Sequence, residues 1–252
     1  MFISDINQVS QAAAGKAEVC RKHAGKYLLR SIMAGFYIMV AVMLSNVTAA
    51  VVYPVSPEWG KVFSALLFGI AIILVVFIGA ELFTGNNLTM AIGFYHRKVS
   101  AGDVCRVWLV SYIGNFIGTS FMSALFVASG ASRAALTEYY SSFIYGKLAT
   151  PALQLFLRGV LCNFLVCLAV WTGTRLKSES GKMVIMFCVI MTFVLAGFEH
   201  CVANMGTFSI AWMMFEDIKI LDILRHMLLV TAGNMVGGAI LLALPLKLMS
   251  TK

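Results

Sequence analysis

The sequence predicts an all-α membrane protein of six transmembrane helices, arranged as an inverted 3+3 repeat in which two helices are broken. Three observations carry this expectation. Of the 252 residues, 60% are apolar and 12% charged, well below the near 25% charged share of soluble domains. Six apolar stretches read as long enough to cross a bilayer, which takes about 20 residues of helix each, and only short connections separate them. Two of these stretches end alike: Gly79, Glu81 and Asn86 recur at the same spacing as Gly197, Glu199 and Asn204.

In chain order, residues 1–26 come first. Phe2, Ile3, Ile6, Val9, Ala13 and Val19 recur at helical spacing, which predicts an amphipathic cytoplasmic helix. It lacks the apolar core and cleavage site of a signal peptide. Two readings fit it: a peripheral anchor, or a lid near the inner mouth with Lys16 facing passing anions. The membrane domain then fills 27–252, with spans near Tyr27–Ala50, Val62–Ala80, Val104–Ala128, Thr150–Arg175, Met183–Gly197 and Asp222–Leu248. Glycines in the third and sixth spans suggest helix packing through small residues.

The halves match beyond the breaks. Leu28-Leu29-Arg30 followed by Gly35-Phe36 parallels Phe156-Leu157-Arg158 followed by Asn163-Phe164. Gly114-Asn115 and Gly118 parallel Gly233-Asn234 and Gly237. Three spans per half is an odd number, so the halves insert in opposite orientation and the breaks meet from opposite faces. Non-helical backbone survives at membrane depth only where it lines a cavity or is buried in protein, so the paired breaks point to a solute pathway. The half-helix starts expose N–H groups and the positive end of the peptide dipole, which favours an anion. Glu81 and Glu199 run against that sign. They are expected to accept hydrogen bonds from backbone or nearby donors within each break and to sit behind the pathway wall, with Gly85, Asn86 and Asn204 as structural neighbours.

The net charge of +8 is a topology signal. Lys16, Arg21, Lys22, Lys26, Arg30, Arg97, Lys98, Arg106, Arg175, Lys177 and Lys182 fall on one side. Lys61, Arg133, Lys147, Lys219 and Arg225 fall on the other. By the positive-inside rule both termini are cytoplasmic, in a multi-pass protein of the cell membrane. This placement argues against a nucleic-acid partner. Cys20, Cys105, Cys162, Cys167, Cys188 and Cys201 show no paired short spacing and read as small buried apolar residues. A membrane enzyme using His200, Glu199 and Cys201 finds little support. No second intramembrane histidine is expected, His23, His96 and His226 fall outside the span centres, and no carboxylate pair shares a helix face. No metal or cofactor is expected.

Four motifs in order now carry a resemblance. Gly-Ala-Glu-Leu-Phe-Thr-Gly-Asn at 79–86 and Gly-Phe-Glu-His-Cys-Val-Ala-Asn-Met at 197–205 resemble the two signatures of the formate/nitrite transporter family. The stretch from Arg158 to Trp171 and the segment Gly233-Asn234-Met235-Val236-Gly237-Gly238 resemble its fourth and sixth helices. The resemblance covers nearly all of the chain after Lys26. It implies an aquaporin-like protomer, five to a ring, each with its own pore for formate, nitrite or hydrosulfide. Glu-Leu-Phe-Thr-Gly leans toward the nitrite and hydrosulfide branches, and hydrosulfide is the favoured cargo.

The resemblance implies a pore histidine at His200 with Thr84 nearby. It also implies apolar constrictions at Leu82 and Phe193, with Phe68 and Ile72 before them, a vestibule lysine at Lys147 and an outer-half asparagine at Asn163. His200 matches Leu82 in the repeat. Its imidazole can donate to an anion, with Thr84 fixing the tautomer. Lys147 reads either as a snorkelling loop charge or as an electrostatic funnel. Asn163 can bond a neighbouring helix or an entering anion. The alternative is an aquaporin-type pore for neutral solutes, though the paired Asn-Pro-Ala boxes are absent.

Overall fold

A chain this apolar can satisfy its backbone in lipid only by internal hydrogen bonds, and the outcome is helical throughout. The computed structural model describes residues 2–250, and no strand occurs among them. In order, the helices are α1 (Phe2–Lys22), α2 (Ala24–Val52), α3 (Pro57–Phe68), α4 (Ile70–Ile78), α5 (Phe83–Tyr95), α6 (Ala101–Ala128) and α7 (Arg133–Leu148). Then follow α8 (Ala152–Arg175), α9 (Glu179–Leu195), α10 (Cys201–Met214), α11 (Ile220–Met235), a π-helical turn (Val236–Ala243) and α12 (Leu244–Met249). Five stretches are long and apolar enough to cross a membrane: Ala24–Val52, Pro57–Ile78, Ala101–Ala128, Ala152–Arg175 and Ile220–Met249. The expected span at 183–197 is the 17-residue α9, and it continues beyond its break as the 14-residue α10. Helix α7 stands where only a connection was expected.

The closest packing is made twice, by α2 against α6 and by α8 against α11, through glycines. A Cβ on Gly35 would sit 2.6 Å from the Asn115 carbonyl oxygen. One on Gly159 would sit 2.7 Å from the Val230 carbonyl oxygen. Gly114 and Gly118 face α2, and Gly233 and Gly237 face α8, with the same absence of room. Both apolar helices before the breaks end on a glycine in the left-handed region, Gly79 at φ 88° and Gly197 at φ 76°. That conformation is open to glycine at little cost. Residues 80–82 and 198–200 then run extended before α5 and α10 begin.

Helix α1 spends its apolar face on the bundle. Ile6, Ser10, Ala13, Ala17 and Cys20 are buried, and Ile3 is exposed; the Phe2 side chain lies outside the described residues. Ala13 meets Gly93 of α5, where a Cβ would not fit. Ion pairs Asp5–Arg175 (2.9 Å) and Arg21–Asp103 (3.5 Å) tie the helix down further. It is therefore a packed element of the protein rather than an anchor with its apolar side free for lipid. Cysteine burial departs from expectation at two of six positions: Cys105 and Cys188 are exposed, while Cys20, Cys162, Cys167 and Cys201 are buried free thiols. Cys105 and Cys188 lie on the outer sides of α6 and α9, where an apolar membrane segment has no core to bury them in.

Gly159→Val is expected to destabilise the fold by about 3 kcal/mol or more through overpacking. Gly146→Ala, with nothing within 4 Å of its Cβ, should be neutral or stabilising by up to about 1 kcal/mol. Thermal unfolding in detergent distinguishes the two.

Candidate functional site: a two-sided polar path with an apolar neck

Each break is clasped by one asparagine. Asn115 Oδ1 accepts from Phe83 N–H (2.9 Å), and its amide donates to the carbonyls of Ser31 (2.8 Å) and Glu81 (3.0 Å). Asn234 Oδ1 accepts from Cys201 N–H (2.9 Å), and its amide donates to the carbonyls of Gly159 (2.8 Å) and Glu199 (2.9 Å). Glu81 N–H donates to the Arg30 carbonyl (3.2 Å), and Glu199 N–H to that of Arg158 (3.3 Å). Breaking a helix at membrane depth orphans polar backbone, at several kcal/mol per unsatisfied group. These contacts remove that cost identically in both halves, and they give Asn115 and Asn234 a role that the repeat had marked without explaining.

Two cavities open at the breaks. One, of about 430 Å³, is lined among others by Lys61, Phe68, Lys147, Arg158, Phe193, Glu199, His200 and Asn204. The other, of about 450 Å³, is lined among others by Lys16, Arg30, Ile72, Glu81, Leu82, Gly85 and Asn86. Between them lies a space of about 10 Å³ walled by Ile38, Phe68, Ala71, Ile72, Leu82, Val166, Ile190, Phe193 and His200. It shares Phe68, Phe193 and His200 with the first cavity, and Ile72 and Leu82 with the second. A space that size is at the lower limit for a single water. Phe68 and Phe193 close it edge to face, with centroids 5.8 Å apart. Leu82, Phe193, Phe68 and Ile72 thus line one narrow space together.

His200 stands at the neck as the N-terminal residue before α10, with Leu82 in the matching place before α5; both backbones are extended. The ring stacks on Phe193 at 5.9 Å. Its Nδ1 accepts from Ala203 N–H (3.1 Å), so in the neutral ring Nε2 carries the proton, and Nε2 lies 3.0 Å from Thr84 Oγ1. The tautomer is therefore fixed by a backbone N–H, and Thr84 takes the remaining ring donor. Thr84 is fully buried and lines none of the three spaces.

Each cavity wall holds a Lys–Glu pair. Lys16 Nζ contacts Glu81 Oε2, which also accepts from Tyr27 Oη (2.8 Å), while Asn86 Nδ2 donates to that hydroxyl (3.0 Å). Lys147 Nζ donates to Glu199 Oε2 (2.6 Å), which also accepts from Asn204 Nδ2 (2.9 Å). The same amide nitrogen lies 3.2 Å from His226 Nε2. The glutamates therefore line the cavities instead of sitting behind the wall, and their donors are side chains rather than backbone. Both carboxylates are buried at the cavity edge, and a lysine at each offsets a charge that would otherwise be costly there. Net positive charge comes instead from Arg158 and Lys61 on one side and Arg30 on the other.

Asn163 lines neither cavity: it is fully buried, and its amide donates to the Asn234 carbonyl (2.6 Å), so it braces α8 against α11. His226 stands near the start of the span Ile220–Met249, and it is fully buried with Nε2 3.5 Å from Glu199 Oε2. Arg30, Arg158, Tyr27 and His226 went unassigned in the sequence. The arginines carried a signal, since each stands at the matching place of its half within or beside an apolar span, where charge is costly. No group of three metal-ligating side chains occurs among the described residues.

An all-helical membrane protein whose broken helices enclose a two-ended polar path belongs among transport proteins. The family is equally plain. The family model described as "Formate/nitrite transporter" matches residues 4–248. The nitrite transporter NirC of Escherichia coli (strain K12) is 31% identical over 247 residues, covering 97% of this chain and 91% of that one. A solved "FNT family ion channel" superposes with TM-score 0.92 at 29% identity, covering 99% of each chain. A "Pentameric formate channel with formate bound" superposes at 0.80 and 28%, covering 92% of this chain and 99% of that one. The chain belongs to the formate/nitrite transporter family, whose members here are transporters and channels, not enzymes.

Lys147→Met should destabilise the protein by about 3–5 kcal/mol, because it strands a buried carboxylate. Adding Glu199→Gln should restore most of that loss. A double-mutant cycle in thermal unfolding measures the coupling, and additive effects would show that the pair does not hold the cavity wall.

Proposed function

We propose that this chain is a membrane channel for small monovalent anions of weak acids, hydrosulfide foremost, with nitrite and formate as related permeants. The observation that carries it is the path itself: two charged cavities of about 430 and 450 Å³ joined by a neck of about 10 Å³ that is apolar but for His200. The anion class is supported by relatives that carry nitrite or hold formate in their names. Hydrosulfide is favoured by the Glu81-Leu82-Phe83-Thr84-Gly85 motif. No relative supports the neutral-solute alternative, and paired lysines and arginines at both mouths serve no purpose for glycerol.

The physics divides the path. Positive cavities raise the local anion concentration without the tight binding that would stall passage. A bare anion in the neck loses its water at a cost of several kcal/mol. Both ring nitrogens of His200 are engaged, so an anion gains an imidazole donor only by displacing Thr84. The conjugate acid avoids the charge cost: the anion takes a proton from cavity water on entry and returns it to water on exit. Weak acids permit this and chloride does not.

The matched clasps, glycines and Lys–Glu pairs support six spans as an inverted 3+3 repeat with an aquaporin-like protomer. Charge asymmetry supports cytoplasmic termini in the cell membrane. Residues 1–26 serve as an inner lid, with Lys16 on the cavity wall, ahead of the channel domain at 27–252. The pentameric solved relative supports a homopentamer.

Proteoliposomes should carry hydrosulfide, nitrite and formate, each faster as pH falls, and should exclude chloride. Swelling in glycerol without anion flux would overturn the reading. His200→Phe should alter the ranking of the three anions while the protein elutes as wild type; an unchanged ranking removes His200 from the path. Lys61→Glu, at an exposed cavity rim, should cut anion flux by up to about tenfold at low ionic strength. The loss should shrink at physiological salt, where the Debye length is about 8 Å.

A further inference from the structure

The two Lys–Glu pairs sit in tetrads of the same design. At the first break Lys16, Glu81, Asn86 and Tyr27 converge; at the second Lys147, Glu199, Asn204 and His226 do. In each, the lysine bonds the glutamate, and the asparagine five residues after the glutamate donates to the fourth member. The fourth member differs. Tyr27 is a phenol, neutral across the physiological range, and it donates to Glu81 (2.8 Å). His226 is an imidazole, the side-chain type whose charge changes between pH 5 and 8.

The local bonding shows what the neutral imidazole does. Asn204 Nδ2 donates toward His226 Nε2 at 3.2 Å, so Nε2 is an acceptor and the ring proton lies on Nδ1. Nδ1 is buried with no hydrogen-bond partner. Nε2 then faces Glu199 Oε2 at 3.5 Å, two acceptors held together only by the shared Asn204 amide. A proton added at Nε2 turns that opposition into a charge-assisted hydrogen bond, directed at the same oxygen that holds Lys147. The tetrad's charge then rises from zero to +1. Asn204 Nδ2 keeps its hydrogen bond to Glu199 (2.9 Å) and gives up the one to the ring.

Glu199 from the break faces the imidazole, Lys147 from α7 shares that carboxylate, and Arg158 of α8 lines the same cavity as both. Asp222 and Arg225 lie on α11 itself, and Arg225 donates to the Thr150 carbonyl (3.3 Å). Phe208 covers the ring edge to face at 4.9 Å. Glu199 is the acid that touches the imidazole, and it is shared with Lys147.

We propose that His226 is a proton-operated positioning residue: when protonated it competes with Lys147 for Glu199 and leaves the cavity on that side with an added positive charge, which strengthens anion capture there. The tetrad built around Tyr27 has no such response, so the two mouths answer acid differently. This inference rests on the anion-channel reading above.

The test measures nitrite and formate flux in proteoliposomes of the full-length protein in known orientation, with pH lowered from 8 to 5.5 on one side at a time. The readout is the flux ratio between the two pH values, in wild type, His226→Tyr and His226→Gln. The permeant's own protonation contributes equally to all three proteins and cancels in the comparison. Acid on the Lys147 side should raise the wild-type ratio about three- to tenfold above that of either variant, as one added charge near a partly solvated site does. Acid on the Lys16 side should give the same ratio in all three proteins. Equal ratios in wild type and both variants on the Lys147 side, with flux intact, would overturn the His226 role and leave the channel reading standing. An acid response of wild type that is equal from both sides would overturn it without any variant. Absence of anion flux from wild type at every pH would overturn the channel reading and the inference with it.

Discussion

Everything in this protein follows from one constraint: helices broken at membrane depth must find partners for the backbone they expose. Two asparagines do this with four hydrogen bonds to break backbone, two each at Asn115 and Asn234, and a fifth and sixth tie them to the Ser31 and Gly159 carbonyls of α2 and α8. Each clasp joins a break to the helix pair behind it, and that pair can approach closely enough only because glycines stand at the contact. The glycine stripes, the asparagines and the left-handed Gly79 and Gly197 are therefore one device. Without the close approach, the asparagine could not reach both a helix carbonyl and the extended segment.

The clasped breaks set the stage for charge. Holding 80–82 and 198–200 extended fixes Glu81 and Glu199 at the rims of two cavities, where an uncompensated carboxylate would repel anions and be costly to bury. Each receives a lysine from a different element, Lys16 from α1 and Lys147 from α7. The amphipathic N-terminal helix and the unexpected α7 thus do the same job on opposite sides. With the glutamates neutralised, Arg30 and Arg158 give each mouth its surplus positive charge.

Much of this was legible in the sequence. The Gly-x-Glu spacing located both breaks to the residue, since left-handed glycines and buried acids leave few alternatives in an apolar run. The Gly-Asn pairs marked α6 and α11 as counterparts. What periodicity could not show was who meets whom at long range: Lys16 reaches Glu81 across 65 residues, and Lys147 reaches Glu199 across 52. Asn163 misled because an asparagine on an apolar helix looks the same whether it faces a path or a neighbouring backbone. His226 misled because it lies six residues into α11 beside two charges, Asp222 and Arg225, that read as a water-facing end. Burial there comes partly from Phe208 of α10, which lies edge to face on the ring, and no local pattern records that.

The neck and the mouths make opposite demands that the fold meets by separation. An anion is drawn by cations and penalised by carbon, so the positive groups stand in the wide cavities and the neck is left to Leu82, Phe68, Ile72 and Phe193. His200 is the exception, and its placement explains why the exception is tolerable. Ala203 N–H and Thr84 Oγ1 occupy its two nitrogens, so the neck holds a polar ring with its hydrogen-bonding capacity already spent. Such a ring neither traps a passing anion nor leaves an unpaired polar group in a dry constriction. A leucine in the same place, as Leu82 shows in the other half, offers only the wall.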